Sequence, residues 1–374
     1  MSNSRRARRW QVGLIRLVAV FVCAWTLTAA PVVAAKADTS HGTGGKCRLG
    51  NSTPHSPGKS AGSTVTTDRH RWSIEEFPLP QPNSTPLVIT LGRDCALWFT
   101  EVFATPSRIG RLTVDGDVTE YALPTPDARP LDIVAAPDGN LWFTEYSANR
   151  IGRLTYDGVL TEFVLPHPDS FPAFITVGPD RALWFTEREA TGNRISRMTY
   201  DGTVTHEFPL PRPGVRPADI VTGPDGNLWF TELAGNAIGR MTPQGVFTEF
   251  PLPNPDSSPN TIIVGPDRNL WFVETDGNRV GRITPRGKIT EFALPHPGSF
   301  PSVIALGPHR QIWFTELDGN RLGHITTRGV IREYDIPTPQ SGPRGLTVGP
   351  DGQLWFTELD ANTIGRLTVH RRHR

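Results

Sequence analysis

The segment GPDGNLWFTELAGNAIGRMTPQGVFTEFPLP, residues 223–253, shows the pattern that decides the fold. A Gly-Pro-Asp-Gly turn precedes the apolar run at residues 228–231, and a short polar loop ending at Asn236 precedes AIGRMT. A second turn at residues 244–245 leads into VFTEF. Turn residues therefore separate every apolar run, as they do in chains of antiparallel hairpins. Together with the preceding residues 217–220, the segment predicts a unit of four strands.

The same unit recurs along the chain. Its Trp-Phe pair is the clearest marker, and successive tryptophans lie 42 to 45 residues apart, at Trp98, Trp142, Trp184, Trp229, Trp271, Trp313 and Trp355. A period of roughly 40–50 residues with several strands per unit is typical of propeller blades. The seven copies predict an all-β fold, a seven-bladed β-propeller with four-stranded blades.

The two ends of the repeat region are complementary. It begins at Trp72 with SIEEFPLPQP, which matches only a fourth strand, and it finishes with IGRLT at residues 364–368, which matches only a third strand. We therefore expect the N-terminal strand to complete the last blade and close the ring, because closure removes exposed sheet edges. The predicted propeller spans residues 72–374.

Residues 1–37 have the pattern of a signal peptide. Paired arginines precede an apolar stretch at residues 12–30, and Ala35-Lys36-Ala37 offers a cleavage site. The alternative is an uncleaved membrane anchor. Residues 38–71 are rich in Gly, Ser and Thr and poor in apolar side chains, which predicts a flexible linker. We expect a secreted or cell-envelope-associated protein.

Charge and cysteine content restrict the partners. The 374 residues contain 38 Lys and Arg against 37 Asp and Glu, so the net charge is close to zero. It gives no reason to expect a nucleic acid as partner, nor a membrane surface apart from the export step. We expect a monomer. Cys47 and Cys95 of the predicted mature chain either form one disulfide, as an exported protein allows, or remain separate thiols.

Residues that recur in every copy are expected to build the scaffold. The Trp-Phe pairs should pack between blades as large apolar wedges. The asparagines before third strands should adopt left-handed backbone angles, which Asn tolerates. The glutamate that follows each Trp-Phe pair should hydrogen-bond to turns, and a metal-binding crown is the alternative.

The repeat GPDGNLWFTE, followed by N-x-IGR-(L/M)-T and TEF-x-LP, resembles the virginiamycin B lyase (streptogramin B lyase) family across residues 72–374. The resemblance implies a propeller that opens cyclic depsipeptides of the streptogramin B type by elimination at the ester linkage. It also implies a magnesium ion that polarises the ester while a histidine removes the proton α to a carbonyl. The partner that it implies is a small cyclic peptide.

In that family the working histidines follow the proline that opens a first strand. The matching positions here hold Leu87, Leu131, Ala173, Ala218, Asn260, Ser302 and Arg344. The glutamate expected before one such proline is absent too, since these positions hold Thr85, Arg129, Phe171, Arg216, Ser258, Phe300 and Gly342. The resemblance therefore carries over no catalytic residue and no magnesium ligand.

Polar residues at the same strand ends suggest a ligand site near the expected central opening. They comprise two Arg-Asp couples and two further polar residues: Arg129, Asp132, Arg216, Asp219, Asn260 and Arg344. Convergent polar groups at a propeller mouth are typical of a small-ligand site. The alternative is that the couples are salt bridges between neighbouring blades. Two functions follow: a lyase, or a non-catalytic extracellular propeller that binds a peptide, glycan or cell-envelope partner.

Overall fold

The computed structural model describes residues 66–68, 72–188 and 193–369. Within these ranges the chain forms seven β-sheets and one short 3-10 helix, Pro308–Arg310. No helix there is long and apolar enough to cross a membrane. The predicted signal peptide, residues 1–37, and most of the predicted linker, residues 38–71, lie outside the described residues. Inside that linker, β1 (Thr66–Asp68) pairs with β2 (Trp72–Pro78).

Each blade begins with a strand at the ring axis. Proline opens every one of these strands, because its fixed φ suits extended backbone. Each first strand contacts the first strand of the next blade, and the last contacts the first, so the set lines the axis. These strands are β3 (Pro86–Leu91), β7 (Pro130–Ala135), β11 (Pro172–Val177), β15 (Pro217–Thr222), β19 (Pro259–Val264), β23 (Pro301–Leu306) and β27 (Pro343–Val348).

The second strand of each blade carries the Trp-Phe pair and is buried along its whole length. Burial on both faces explains why large apolar side chains stand side by side rather than alternating with polar ones. These strands are β4 (Leu97–Glu101), β8 (Leu141–Glu145), β12 (Leu183–Glu187), β16 (Leu228–Glu232), β20 (Leu270–Glu274), β24 (Ile312–Glu316) and β28 (Leu354–Glu358).

The third strand pairs antiparallel with the second. In most blades it carries a glycine against the neighbouring Phe; a Cβ added at Gly152 would lie 2.1 Å from Phe143 Cζ, so no larger residue fits there without movement. These strands are β5 (Arg108–Leu112), β9 (Arg150–Leu154), β13 (Arg194–Met198), β17 (Ala237–Met241), β21 (Arg279–Ile283), β25 (Arg321–Ile325) and β29 (Thr363–Val369).

The fourth strand lies at the outside of each blade. In six blades none of its residues is fully buried, which accounts for its many polar side chains. These six strands are β6 (Val118–Ala122), β10 (Leu160–Val164), β14 (Val204–Pro209), β18 (Phe247–Pro251), β22 (Ile289–Ala293) and β26 (Ile331–Asp335). In blade 7 the N-terminal β2 occupies this place and pairs antiparallel with β29, from Trp72 opposite Val369 to Pro78 opposite Thr363.

The expectation that the Trp-Phe pairs pack between blades is confirmed. Each hydrophobic cluster joins the tryptophan of one blade to the phenylalanine of the next; Trp98 of blade 1, for example, packs with Phe143 of blade 2. The cluster that joins blade 7 to blade 1 contains Trp355 and Phe99, together with Phe77 of β2. The core is therefore a ring of inter-blade contacts.

The asparagines before third strands tie neighbouring blades together, as Asn149 illustrates. It adopts the expected left-handed conformation, with φ of 56°. Its Oδ1 accepts a hydrogen bond from the N–H of Ser170, at 2.9 Å, and its Nδ2 donates to the carbonyl of His167, at 2.7 Å. Asn236, Asn278, Asn320 and Asn362 repeat the left-handed conformation.

Cys95 lies in the turn between β3 and β4, with φ of 58°, and is disulfide-bonded. Its predicted partner, Cys47, lies outside the described residues, so the pairing of these two residues stays a prediction.

Candidate functional site

The candidate site is the mouth of the ring, which we define as the residue before each first-strand proline, the two residues after it, and the residue that follows each second strand. The backbone there is the same in every blade. The seven residues before the prolines all have positive φ, between 50° and 68°. In each blade their carbonyl accepts a hydrogen bond from the residue after the second strand, as Arg129 does from Tyr146 at 3.2 Å.

Histidine is absent from the mouth within the residues that the structure describes. His167 and His296 lie on connections between blades, where they contact Glu207 and Glu333 of outer strands. His324 lies on β25 against the Trp313 ring, 5.2 Å between ring centres. No histidine from another part of the described chain therefore reaches the positions after the first-strand prolines, where the resemblance leads one to expect a catalytic base.

Asp132 links blade 2 to blade 3. One carboxylate oxygen accepts a hydrogen bond from the N–H of Ile133, at 2.9 Å, and the other from the N–H of Ile175, at 2.8 Å. The register shift after each first-strand proline leaves this N–H without a partner in its own blade, so the neighbouring blade supplies the acceptor.

Asp219 makes the same link between blades 4 and 5. Its oxygens accept hydrogen bonds from Ile220, at 2.8 Å, and Ile262, at 2.9 Å. In blade 5 the equivalent residue is Thr261, whose hydroxyl accepts from Ile304 at 2.9 Å. The two aspartates thus hold neighbouring blades, as the alternative interpretation held, but through backbone N–H groups instead of salt bridges.

Both aspartates have raised pKa values. Burial, reinforced by the charge of Asp219, raises the pKa of Asp132 to about 8, although its two backbone hydrogen bonds oppose the rise. Burial likewise raises the pKa of Asp219 to about 7, against the hydrogen bonds from Ile262 and Ile220 and the charge of Arg188. In each carboxylate both oxygens therefore accept a backbone hydrogen bond, and one of the two bonds serves the contact between blades.

Asn260 also serves the scaffold. Its Nδ2 donates to the carbonyl of Ser302, at 3.0 Å. In other blades the second-strand threonine bonds this carbonyl of the next blade, as Thr315 bonds the carbonyl of Arg344 at 3.1 Å. Blade 5 has Val273 in place of that threonine, and Asn260, together with the Thr261 hydroxyl at 3.3 Å, supplies the donor to this carbonyl.

Arg344 is the buried cation of the mouth. It is 9% exposed, and its Nη1 donates to Ser302 Oγ at 2.6 Å, while its Nε has no hydrogen-bond partner among the described residues. Burial lowers its pKa to about 10, against the opposing charges of Asp360 and Asp318. The structure therefore brings Arg344, Ser302 and Asn260 together on one side of the mouth.

Arg129 and Arg216 lie before the first-strand prolines of blades 2 and 4, half-buried and with φ of 52° each. The Arg129 guanidinium lies 5.5 Å from the centre of the Phe103 ring, and the Arg129 N–H donates to Ser107 Oγ at 3.2 Å. Ser107 thus replaces, in blade 1, the asparagine of the other blades.

The sequence interpretation missed Arg188. It follows the second strand of blade 3, where other blades have Val, Tyr, Leu or Thr, and only 8% of it is exposed. Its Nε donates to the carbonyl of Pro217 at 2.8 Å, and its guanidinium lies 5.5 Å from the Phe174 ring centre. Burial, with the charge of Arg216, lowers its pKa to about 10, against the charges of Tyr146 and Asp219. The sequence signal that could have identified Arg188 is that this position holds a charged residue in blade 3 alone.

The mouth does not fit a magnesium ion. Magnesium prefers carboxylate and water oxygens in octahedral geometry, whereas the carboxylates of Asp132 and Asp219 are engaged by backbone N–H groups. Beside the mouth, Asp276 accepts a hydrogen bond from Ser258 Oγ at 2.6 Å, and the charges of Asp318 and Asp360 act on Arg344, which itself repels a cation. No cluster of three or more His, Cys, Asp or Glu side chains suited to a metal occurs in the described ranges.

Comparison with known proteins identifies relatives of the whole ring. The chain matches the virginiamycin B lyase family over residues 59–250 and 189–373. No curated protein matches. A solved streptogramin B lyase structure is 42% identical, with a TM-score of 0.75, over 80% of this chain and 98% of that one.

A solved virginiamycin B lyase from Staphylococcus aureus is also 42% identical, with a TM-score of 0.75, over 80% of this chain and 100% of that one. A catalytically inactive histidine-to-alanine variant of virginiamycin B lyase from that organism, solved with quinupristin, is 41% identical with the same TM-score. The two ranges that match the family together include all seven blades described above, and the alignments cover nearly the full length of these enzymes. The chain therefore belongs to the virginiamycin B lyase family.

Proposed function

We propose that this chain is an exported member of the family that binds its ligand at the mouth without opening an ester bond. One observation carries the proposal: all seven positions that match the family's working histidines hold other residues, and the one in blade 7 holds Arg344, buried and bonded to Ser302. A guanidinium is protonated at neutral pH and cannot act as a general base.

Two further observations support the loss of catalysis. The S. aureus enzyme is inactive after a histidine-to-alanine change, and here all seven positions that match the working histidines hold other residues. Asp132 and Asp219, the carboxylates nearest to these positions in sequence, each accept two backbone hydrogen bonds. The mouth also lacks a carboxylate set for magnesium among the described residues.

The arginines indicate the kind of ligand. Arg188 and Arg344 are both more than nine-tenths buried, and the cost of burying a cation is offset most directly by an anionic partner. We propose a peptide, glycan or cell-envelope ligand that carries a carboxylate or another acidic group. Arg129 and Arg216 at the rim would add attraction for the same charge.

The catalytic part is tested by incubating the purified protein with quinupristin and MgCl2 and following the mixture by mass spectrometry and chromatography. Elimination gives a linear product of unchanged mass, so a shift in retention time at constant mass reports it. We expect no conversion above the buffer control, with a streptogramin B lyase as the positive control. Conversion at enzymatic rates would show that the chain is a lyase.

The binding part is tested with an array of acidic peptides and glycans. We expect the binding signals of the unmodified protein on this array to disappear in the variants Arg129→Ala and Arg216→Ala. The melting temperatures of both variants should stay within a few degrees of the unmodified protein. Arg332→Ala on the outer strand β26, where the side chain is exposed, is the matched control and should keep every signal. Equal loss in the control would mean that the binding is not specific to the mouth.

A further inference from the structure

Every blade holds a pair of carboxyl groups, of which the first is buried and the second is half-buried in six blades and buried in blade 7. One belongs to the glutamate that ends the second strand, and the other to a glutamate on the fourth strand. The pairs are Glu101 with Glu120, Glu145 with Glu162, Glu187 with Glu207, Glu232 with Glu249, Glu274 with Glu291, Glu316 with Glu333, and Glu358 with Glu76. Two like charges in one buried place require a neighbouring positive charge or a proton.

In five blades an arginine supplies the positive charge. It is the first residue of the third strand, directly opposite the second-strand glutamate in the sheet register. Arg321 lies 2.8 Å from Glu316, and Arg279 lies 3.3 Å from Glu274. The other three arginines are Arg108, Arg150 and Arg194.

Blade 4 has a positive charge beside its glutamates although it lacks this arginine. Its third strand begins with Ala237, and Arg212 reaches the pair from the connection that precedes the blade. The guanidinium lies 2.9 Å from Glu232 and 2.8 Å from Glu249. The internal repeat thus contains both a missing arginine and its replacement.

Blade 7 lacks both arginines. Thr363 begins its third strand, and Thr338 stands on its connection where blade 4 has Arg212. Thr338 bonds Glu76 through its Oγ1 at 2.7 Å and its N–H at 3.3 Å, and its carbonyl accepts from Asn320. Among the described residues, both carboxyl oxygens of Glu358 and the hydroxyl of Thr363 are buried without a hydrogen-bond partner; both oxygens of Glu101 and Glu145 are too, but the blades of those glutamates have Arg108 and Arg150. Glu358 itself is 0% exposed.

We propose that blade 7 binds a hard metal cation, Ca²⁺ in preference to Na⁺, between Glu358 and Glu76 at the place where other blades hold a guanidinium. Carboxylate and hydroxyl oxygens are the ligands that such cations prefer. Two carboxylates match a charge of +2, and the short side chain of Thr363 stands where five other blades have the long side chain of an arginine. The site involves none of the mouth residues, so it is independent of the proposed ligand binding.

A proton is the competing occupant. Burial, reinforced by the charge of Glu76, raises the pKa of Glu358 to about 8, while the nearby Ser341 and Thr363 hydroxyls oppose the rise. At neutral pH a proton on Glu358 would remove the repulsion without any metal. The experiment therefore has to separate the two.

The test measures Ca²⁺ bound to chelator-stripped protein, by calorimetry and by metal analysis after gel filtration, at constant ionic strength. We expect about one Ca²⁺ per chain and a melting temperature several degrees higher in CaCl2 than in NaCl. Thr363→Arg should abolish this binding and raise the melting temperature of the metal-free protein, because it restores the guanidinium of the other blades.

Glu274→Gln in blade 5 is the matched control for Glu358→Gln. The blade 5 pair already has Arg279, so its variant should still bind Ca²⁺, whereas Glu358→Gln should bind at least tenfold more weakly. Three results would overturn the proposal: no bound Ca²⁺, binding that survives in Thr363→Arg, or a melting temperature that responds to pH but not to Ca²⁺. The last result would assign the role to the proton.

Discussion

At the scale of single residues, blade 6 lacks a hydrogen bond that the other six blades share, and its turn also differs in backbone, since His309 has φ of 58°. In the other six blades the indole N–H of the tryptophan donates to the aspartate of the hairpin turn between the first two strands. In five of these an arginine of the third strand pairs with that aspartate. Blade 6 has His309 and His324 at these positions, and the Trp313 N–H is buried with no hydrogen-bond partner in the part of the chain that the structure describes.

Restoring the repeat should therefore stabilise blade 6. We expect His309→Asp with His324→Arg to raise the free energy of unfolding by about 1 kcal/mol, because a buried donor gains its acceptor. Chemical denaturation of both single variants and the double variant measures the coupling. The reciprocal control, Asp267→His with Arg282→His in blade 5, should cost a similar amount. A double variant less stable than the unmodified protein would contradict the interpretation.

At the scale of strands, β2 is the element on which blade 7 depends. It brings Phe77 onto the Trp355 ring, 5.1 Å between centres, and places Phe77 and Leu79 in the cluster between blades 7 and 1. Its Glu75 pairs with Arg366 of β29, and its Glu76 bonds Thr338. Without β2, the edge of β29 and this cluster would face water.

Deleting residues 72–80 should sharply lower the melting temperature. The deletion removes the buried side chains of Phe77 and Leu79, whose burial stabilises the fold by about 1.5–3 kcal/mol each. The ring also loses its closing strand. Thermal unfolding followed by circular dichroism measures the effect, and a synthetic peptide of residues 72–80 added in trans should restore part of the loss. An unchanged melting temperature would rule out this closure.

At the scale of the whole molecule, the buried carboxyls give the ring a common dependence on pH. Burial raises the pKa of the second-strand glutamates, which include Glu145 and Glu358 at about 8, and of Asp132 at about 8. In the unfolded chain these groups release their protons near pH 4 to 5. Between that pH and about 8 the folded state holds protons that the unfolded state has lost, so stability falls as the pH rises.

We therefore expect the melting temperature to be highest near pH 5 and to decline towards pH 8 to 9. The aspartates of the hairpin turns act in the opposite sense, because hydrogen bonds from tryptophan and arginine lower the pKa of Asp180 despite its partial burial. Their contribution is lost only in stronger acid. Glu145→Gln should flatten the decline, whereas Asp117→Asn at an exposed turn should leave it unchanged. A melting temperature that rises from pH 5 to 8 would contradict the raised pKa values.

The fold was predictable from the sequence because each blade repeats the same local chemistry. The spacing of the Trp-Phe pairs, the turns and the asparagines all depend on contacts that recur, and the structure confirms them. The candidate site was less predictable. The partners of Asp132 and Asp219 are backbone N–H groups of the next blade, exposed by a register shift that no side-chain pattern reveals. Arg188 was missed because the prediction considered only the residues around the prolines.

The left-handed residues before the first-strand prolines have a consequence for how such proteins change over time. Thr, Arg, Phe, Ser and Gly all occupy this conformation here, so the backbone imposes it whatever the side chain. Mutation can then exchange the groups that face the ring axis one by one, while the inter-blade wedges keep the architecture intact. Substitutions at these positions can therefore change what the mouth recognises while the backbone that carries them stays the same.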